Sequence, residues 1–213
     1  NKVRAGLFVD DLAVAPDGNI FISGNYRATM HLKDQAGNTV TFTPKYINGW
    51  NGDAQKAAGD MYLFKLTPEG QLLGSLEAQG TGITNGHINN VVYDRGILYL
   101  YGSYAVVSGE AFTATLAGAP LCSTGVVNLY VAAVDASTLA SEWHTNIVGE
   151  KDSNNSCIMQ NSGISVGNGN LWFCGQYNGI PKAMKSLAWP ARLVCARVCS
   201  SSLMPLPANG LRV

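Results

Sequence analysis

Gly18-Asn19-Ile20-Phe21-Ile22-Ser23-Gly24-Asn25-Tyr26 returns twice along the chain, as Gly96-Ile97-Leu98-Tyr99-Leu100-Tyr101-Gly102-Ser103-Tyr104 and as Gly169-Asn170-Leu171-Trp172-Phe173-Cys174-Gly175-Gln176-Tyr177. The shared order is glycine, any residue, Ile or Leu, aromatic, apolar, any residue, glycine, any residue, tyrosine. The copies start 78 and then 73 residues apart and align without gaps. Self-similarity of this kind marks a repeat architecture, in which each unit buries its apolar face against its neighbours.

Each copy follows a second apolar stretch: Leu12-Ala13-Val14, Asn90-Val91-Val92-Tyr93 and Ile164-Ser165-Val166. The joints are Pro16-Asp17-Gly18, Asp94-Arg95-Gly96 and Gly167-Asn168-Gly169. Glycine beside Asp or Asn supplies the positive φ that tight hairpins need, so each unit holds a β-hairpin. A second hairpin follows. Tyr62–Leu66 turns at Thr67-Pro68-Glu69-Gly70 into Gln71–Leu73, and Leu129–Val134 turns at Asp135-Ala136-Ser137 toward Trp143. Leu193–Val198 leads into Cys199-Ser200-Ser201 and a Pro-rich tail. Two hairpins give four strands, so the predicted fold is all-β, with β-propeller-like repeats of four-stranded antiparallel blades. A single domain over 1–213 is expected, with units at about 1–60, 61–127 and 128–191 and a further unit beginning at 192–213.

Longer inserts at 27–59, 105–127 and 178–191 follow the final tyrosine of each unit. Insertions at equivalent points of a repeat emerge on one face, often the binding face. They hold the candidate ligand contacts Tyr46, Trp50 and Trp189. Phe21, Tyr99 and Trp172 share one repeat position and are expected to pack between adjacent sheets. Tyr26, Tyr104 and Tyr177 are expected to send their hydroxyls to loop carbonyls. Gly18, Gly96 and Gly169 belong to the turns, and Gly24, Gly102 and Gly175 complete the structural repeat.

The stretch from Asp10 to Tyr26, followed after an insert by Gly59-Asp60-Met61-Tyr62-Leu63-Phe64-Lys65-Leu66-Thr67-Pro68-Glu69-Gly70, resembles the secreted bacterial β-propeller repeat family. The resemblance extends over nearly the whole chain. Later units depart from it: Val127 stands near the position of Asp60, and Ser200-Ser201 replaces the usual turn. The family implies an extracellular, cell-surface or periplasmic location and carries no chemistry with its motifs. A non-catalytic binding or scaffold module contacting protein or glycan through its inserts is the leading expectation. A propeller-type glycoside hydrolase or lyase and a structural spacer are the alternatives.

Composition narrows the partners. Fourteen basic residues balance fourteen acidic ones, and charged residues make up only 13% of the chain. That removes the electrostatic footprint of a nucleic-acid binder. No apolar run approaches the ~18 residues of a membrane-spanning helix, so no membrane span is expected. Cys122, Cys157, Cys174, Cys195 and Cys199 show no metal-ligand spacing, and His31, His87 and His144 are scattered. No metal and no cofactor are therefore predicted. Asp152-Ser153-Asn154-Asn155-Ser156 opens like a calcium loop, but Cys157 replaces the loop glycine and Gly163 the bidentate glutamate. Asp10, Asp11, Asp17, Asp60 and Asp94 invite a carboxylate-pair reading, although Asp17 and Asp94 sit in turns that favour aspartate for local hydrogen bonding.

The blade arithmetic leaves a question of closure. The hairpins suggest that the chain enters and leaves in mid-blade with about three blades' worth of strands, against the roughly four to eight of closed propellers. Missing blades of the same polypeptide or a second copy are the expected partners at the ends.

Overall fold

A computed structural model of the chain describes residues 6–44, 59–106, 109–122, 127–150, 159–167, 170–177, 180–185 and 194–195. All regular elements among them are strands, and they form three larger sheets. The first sheet orders β1 (Leu7–Val14), β2 (Ile20–Tyr26), β5 (Asp60–Leu66) and β6 (Leu72–Glu77), each antiparallel to its neighbour. Between β2 and β5 lies the small hairpin β3–β4 (Met30–Lys33, Thr39–Phe42).

The central sheet repeats this plan with β7 (Ile83–Asp94), β8 (Ile97–Val106), β11 (Val127–Asp135) and β12 (Ser141–Glu150). Its insert again carries a small hairpin, β9–β10 (Thr115–Leu116, Ala119–Pro120). A fifth strand, β15 (Ile180–Lys185), pairs antiparallel on the outer edge of β12. The third sheet contains β13 (Met159–Gly167), β14 (Asn170–Tyr177) and the two-residue β16 (Val194–Cys195).

The turns follow from their residues. Between β7 and β8, Arg95 and Gly96 take φ of 46° and 86°, the left-handed pair that matches the twist of a two-residue hairpin. Before β2, the Asp17 carboxylate accepts the Asn19 N–H at 3.0 Å. After β11, Asp135 accepts the amides of Ser137 and Thr138 at 2.9 and 2.8 Å and both of their hydroxyls. Hydrogen bonding to the charged form lowers its pKa to about 2.

Strand alternation assigns the faces. Leu98, Leu100 and Tyr104 of β8 join Phe21, Met61 and Leu63 in the core between the first and central sheets. Tyr99 and Tyr101, of opposite parity, join Leu171 and Phe173 in a second core between the central and third sheets. The central sheet is thus covered on both faces. Its β11 accordingly reads Leu129-Tyr130-Val131-Ala132-Ala133-Val134 without polar interruption, and all six residues are buried.

Several expectations are corrected here. Among the described residues β1–β2 is the first hairpin of a four-stranded sheet and not the second. A repeat can be cut at any phase; the cut at 60/61 falls inside β5, and the sheets themselves run over 7–77 and 83–150. The counterpart of Asp60 is Asn128, the residue next to Val127, because Asp60 pairs with Tyr26 and Asn128 with Tyr104. In the third sheet, Val194–Cys195 lies beside β14 but parallel to it, whereas β5 and β11 are antiparallel to their neighbours.

Candidate interaction surfaces

The second glycine of the repeat builds the local geometry. Each first strand breaks register opposite it, with one residue bulged out: Asp10 after the Val9–Gly24 pair, Asn89 after Ile88–Gly102, Ser162 after Asn161–Gly175. A bulge brings the backbone of its strand close to the partner. A Cβ on Gly24 would stand 1.9 Å from the Phe8 carbonyl oxygen, and one on Gly102 2.1 Å from that of His87. Only glycine fits.

Above Gly24 and Gly102 lies a tyrosine of the third strand. Tyr62 pairs with Gly24 and Tyr130 with Gly102. Their hydroxyls donate to the same two carbonyls, Tyr62 to Phe8 and Tyr130 to His87, both at 3.0 Å. Burial, and next the negative charge of Asp10, pushes the Tyr62 phenol up to about 12; burial pushes Tyr130 well above its ordinary range. The sequence held the signal for these two residues. Asp60-Met61-Tyr62-Leu63 and Asn128-Leu129-Tyr130-Val131 align once Asn128 is matched to Asp60.

The bulge also aims side chains at the neighbouring sheet. Asp10 meets His87 Nδ1 at 2.8 Å, and Asp11 accepts the Val91 N–H at 3.0 Å. The buried Asn25 donates its Nδ2 to the Gly86 carbonyl at 2.6 Å. These contacts clasp the first sheet to β7. The side chains of Asp10 and His87 each remain about one-fifth exposed, 21% and 20%. Of the other aspartates weighed as a carboxylate pair, Asp17 is engaged with Asn19 and Asp94 with Arg95.

The repeat tyrosines are buried, with different partners. Tyr104 donates to the Cys122 carbonyl at 2.8 Å and accepts the Cys122 N–H at 2.8 Å, tying Cys122 of its insert to β8. Tyr26 donates to the Glu77 carboxylate instead of a loop carbonyl, because β6 brings Glu77 opposite Tyr62 and beside it. The side chain of Tyr177 lies outside the described residues.

The aromatic position divides. Phe21 is 1% exposed and stacks on Tyr93 of the central sheet with ring centroids 6.4 Å apart; Tyr99 is 7% exposed. Trp172 is 42% exposed, which corrects the expectation that all three are packed between sheets. The reason lies in the order of the stack. Phe21 points toward the central sheet and Tyr99 toward the third, while Trp172 points off the third sheet where no further sheet stands among the described residues.

At the opposite end, Leu7, Val9, Leu12 and Val14 of β1 share one face and are each more than half exposed. The rest of that face is covered by its own insert. Met30, Leu32, Val40 and Phe42 of β3–β4 pack on Tyr26, Tyr62, Phe64, Leu66 and Leu72. The second insert behaves alike: Ala114, Leu116 and Leu121 join the core between the first and central sheets. The described parts of these two inserts are therefore packed structure. The ligand candidates Tyr46, Trp50 and Trp189, and Gly169 of the repeat, lie outside the described residues.

Among the described residues no group of three or more His, Cys, Asp or Glu is placed to hold a metal ion. No helix there is long and apolar enough to cross a membrane, which does not bear on crossing by strands. No protein-family model, curated protein or solved structure matches the chain.

Proposed function

We propose that the chain is a scaffold module of β-propeller-type blades, secreted or displayed at the cell surface, that acts by binding protein through the end faces of its sheet stack. One observation carries this reading. The aromatic position that packs against a neighbouring sheet in the first two units is exposed at Trp172, and the apolar stripe of β1 is exposed at the other end. Contiguous exposed apolar surface on a soluble protein marks an interaction site. The repeat motif, with its resemblance to secreted propeller repeats, supports the blade assignment, and the low charge of the chain suits a surface that is covered in its working state. The reading moves the binding surface from the inserts to the end faces.

The test is site-specific photocrosslinking in the native host. A photoreactive residue at position 12 or 172 should yield protein adducts, and one at Glu69, in the exposed turn before β6, should yield none. Absence of protein adducts from both end faces would overturn the proposal.

A further inference from the structure

The two open end faces are the two halves of an interface that the chain already makes twice within itself. Register establishes the equivalence. Val9, Leu12 and Val14 pair with Gly24, Ile22 and Ile20. Ile88, Val91 and Tyr93 pair with the corresponding Gly102, Leu100 and Leu98. In the central sheet Ile88 and Val91 are buried under the first sheet, and Tyr93 is stacked against Phe21. In the third sheet the counterparts Ile164 and Val166 pack in the core beneath Tyr99 and Tyr101. The stripe on β1 is the same receiving surface without its sheet, and Trp172 is the same inserting aromatic without its stripe.

We infer that two copies of this chain associate head to tail, the Trp172 face of each seated on the β1 stripe of the other, forming a closed ring of six sheets. This rests on the proposed function and names its partner. Within the described residues the two faces cannot meet each other, because the first and third sheets cover opposite faces of the central one and their free faces point apart. The three larger sheets among the described residues also fall short of the roughly four to eight at which propellers close, and doubling them reaches that range. A head-to-tail contact closes when the rotation between units permits it, and blade-to-blade packing supplies such a rotation.

The β3–β4 hairpin leaves room for the second copy. On the central sheet the equivalent hairpin β9–β10 and a whole neighbouring sheet share one face, and on the first sheet the β1 half is the part left open. The zero formal net charge opposes association of copies only weakly. By analogy with Phe21 over Tyr93, the Trp172 ring should sit over Val14 of the second copy.

The experiment is sedimentation velocity with light scattering on the purified 213-residue chain, comparing wild type, Val14→Lys and Trp172→Glu. The wild type should be a dimer. Each variant should weaken self-association by about thirtyfold or more, the scale of losing a central aromatic anchor, with a thermal midpoint close to that of the wild-type monomer. Mixing the two variants should restore a dimer, because the mixed ring has one unaltered interface and one Glu–Lys interface. Leu12→Lys is the second stripe variant, to be used if Val14→Lys does not fold. A strictly monomeric wild type, an open-ended series of larger species, or a dimer indifferent to both substitutions would overturn the ring. If the chain is monomeric yet crosslinks through positions 12 and 172 to a different protein, the second copy is wrong and the module reading survives. Absence of any crosslink overturns both.

Discussion

Phe21 and Trp172 occupy the same place in the repeat and live in opposite surroundings, one ring sealed between two sheets and the other open to solvent. The hairpins that carry them have the same register, the same glycine and the same bulge. What differs is the next sheet. Burial at this position is therefore a property of the stack, set by how many units stand in line, while the strand geometry is a property of each unit.

The comparison breaks most readily at the buried ring. Phe21→Ala should cost about 3–5 kcal/mol, the range for truncating a well-packed phenylalanine, read as a drop in the denaturant midpoint. A loss near zero would mean that the core between the first and central sheets does not hold them together. Gly102→Ala comes next. The added methyl would meet the His87 carbonyl and the Tyr130 hydroxyl, so the strands must part at a cost of about 1–3 kcal/mol. An unchanged midpoint would show that the bulge relaxes freely.

Tyr130→Phe keeps the ring and removes the hydroxyl from the His87 carbonyl. The expected loss is about 1 kcal/mol, the net worth of one such hydrogen bond. A pH series probes the matching tyrosine in the first sheet. The folded pKa of Tyr62 lies above its unfolded value of 10, so folding favours the protonated phenol. Its contribution is complete below pH 10 and is lost as pH rises through about 12. Melting temperature should fall across that window, and less steeply in Tyr62→Phe. The smallest effect belongs to the exposed ring: Trp172→Ala should change the stability of the monomer by no more than about 0.5 kcal/mol. A loss of the size expected for Phe21 would show that Trp172 is core after all.

Much of this was legible in the residues. Pro16-Asp17-Gly18 and Asp94-Arg95-Gly96 announced hairpins that the structure places at those residues, and the apolar alternation around Phe21 and Tyr99 marked strands with two distinct faces. What stayed hidden depends on distance across space. Period-two alternation separates the faces of a strand without saying which sheet covers each, so Trp172 read like Phe21. The role of Gly24 and Gly102 needed the register of a bulge, and Tyr62 and Tyr130 needed the pairing that sets them over those glycines. The clasp of Asp10 to His87 joins residues from different sheets that no local spacing connects. The segment after Tyr177 read as an insert because strand assignment from pattern follows neighbours along the chain, and β15 pairs with β12 across an entire intervening hairpin.

That returning strand sets an order of events. β1–β2, β7–β8 and β13–β14 join segments separated by only a few residues, and such local closures are fast. β15 can reach β12 only after the chain has run out through β13 and β14 and doubled back. Non-local pairings bear the larger loop-closure entropy before they gain any contact. The outer edge of the central sheet is therefore the last part of it to zip, and during synthesis β12 waits with an open edge until residue 185 has been made.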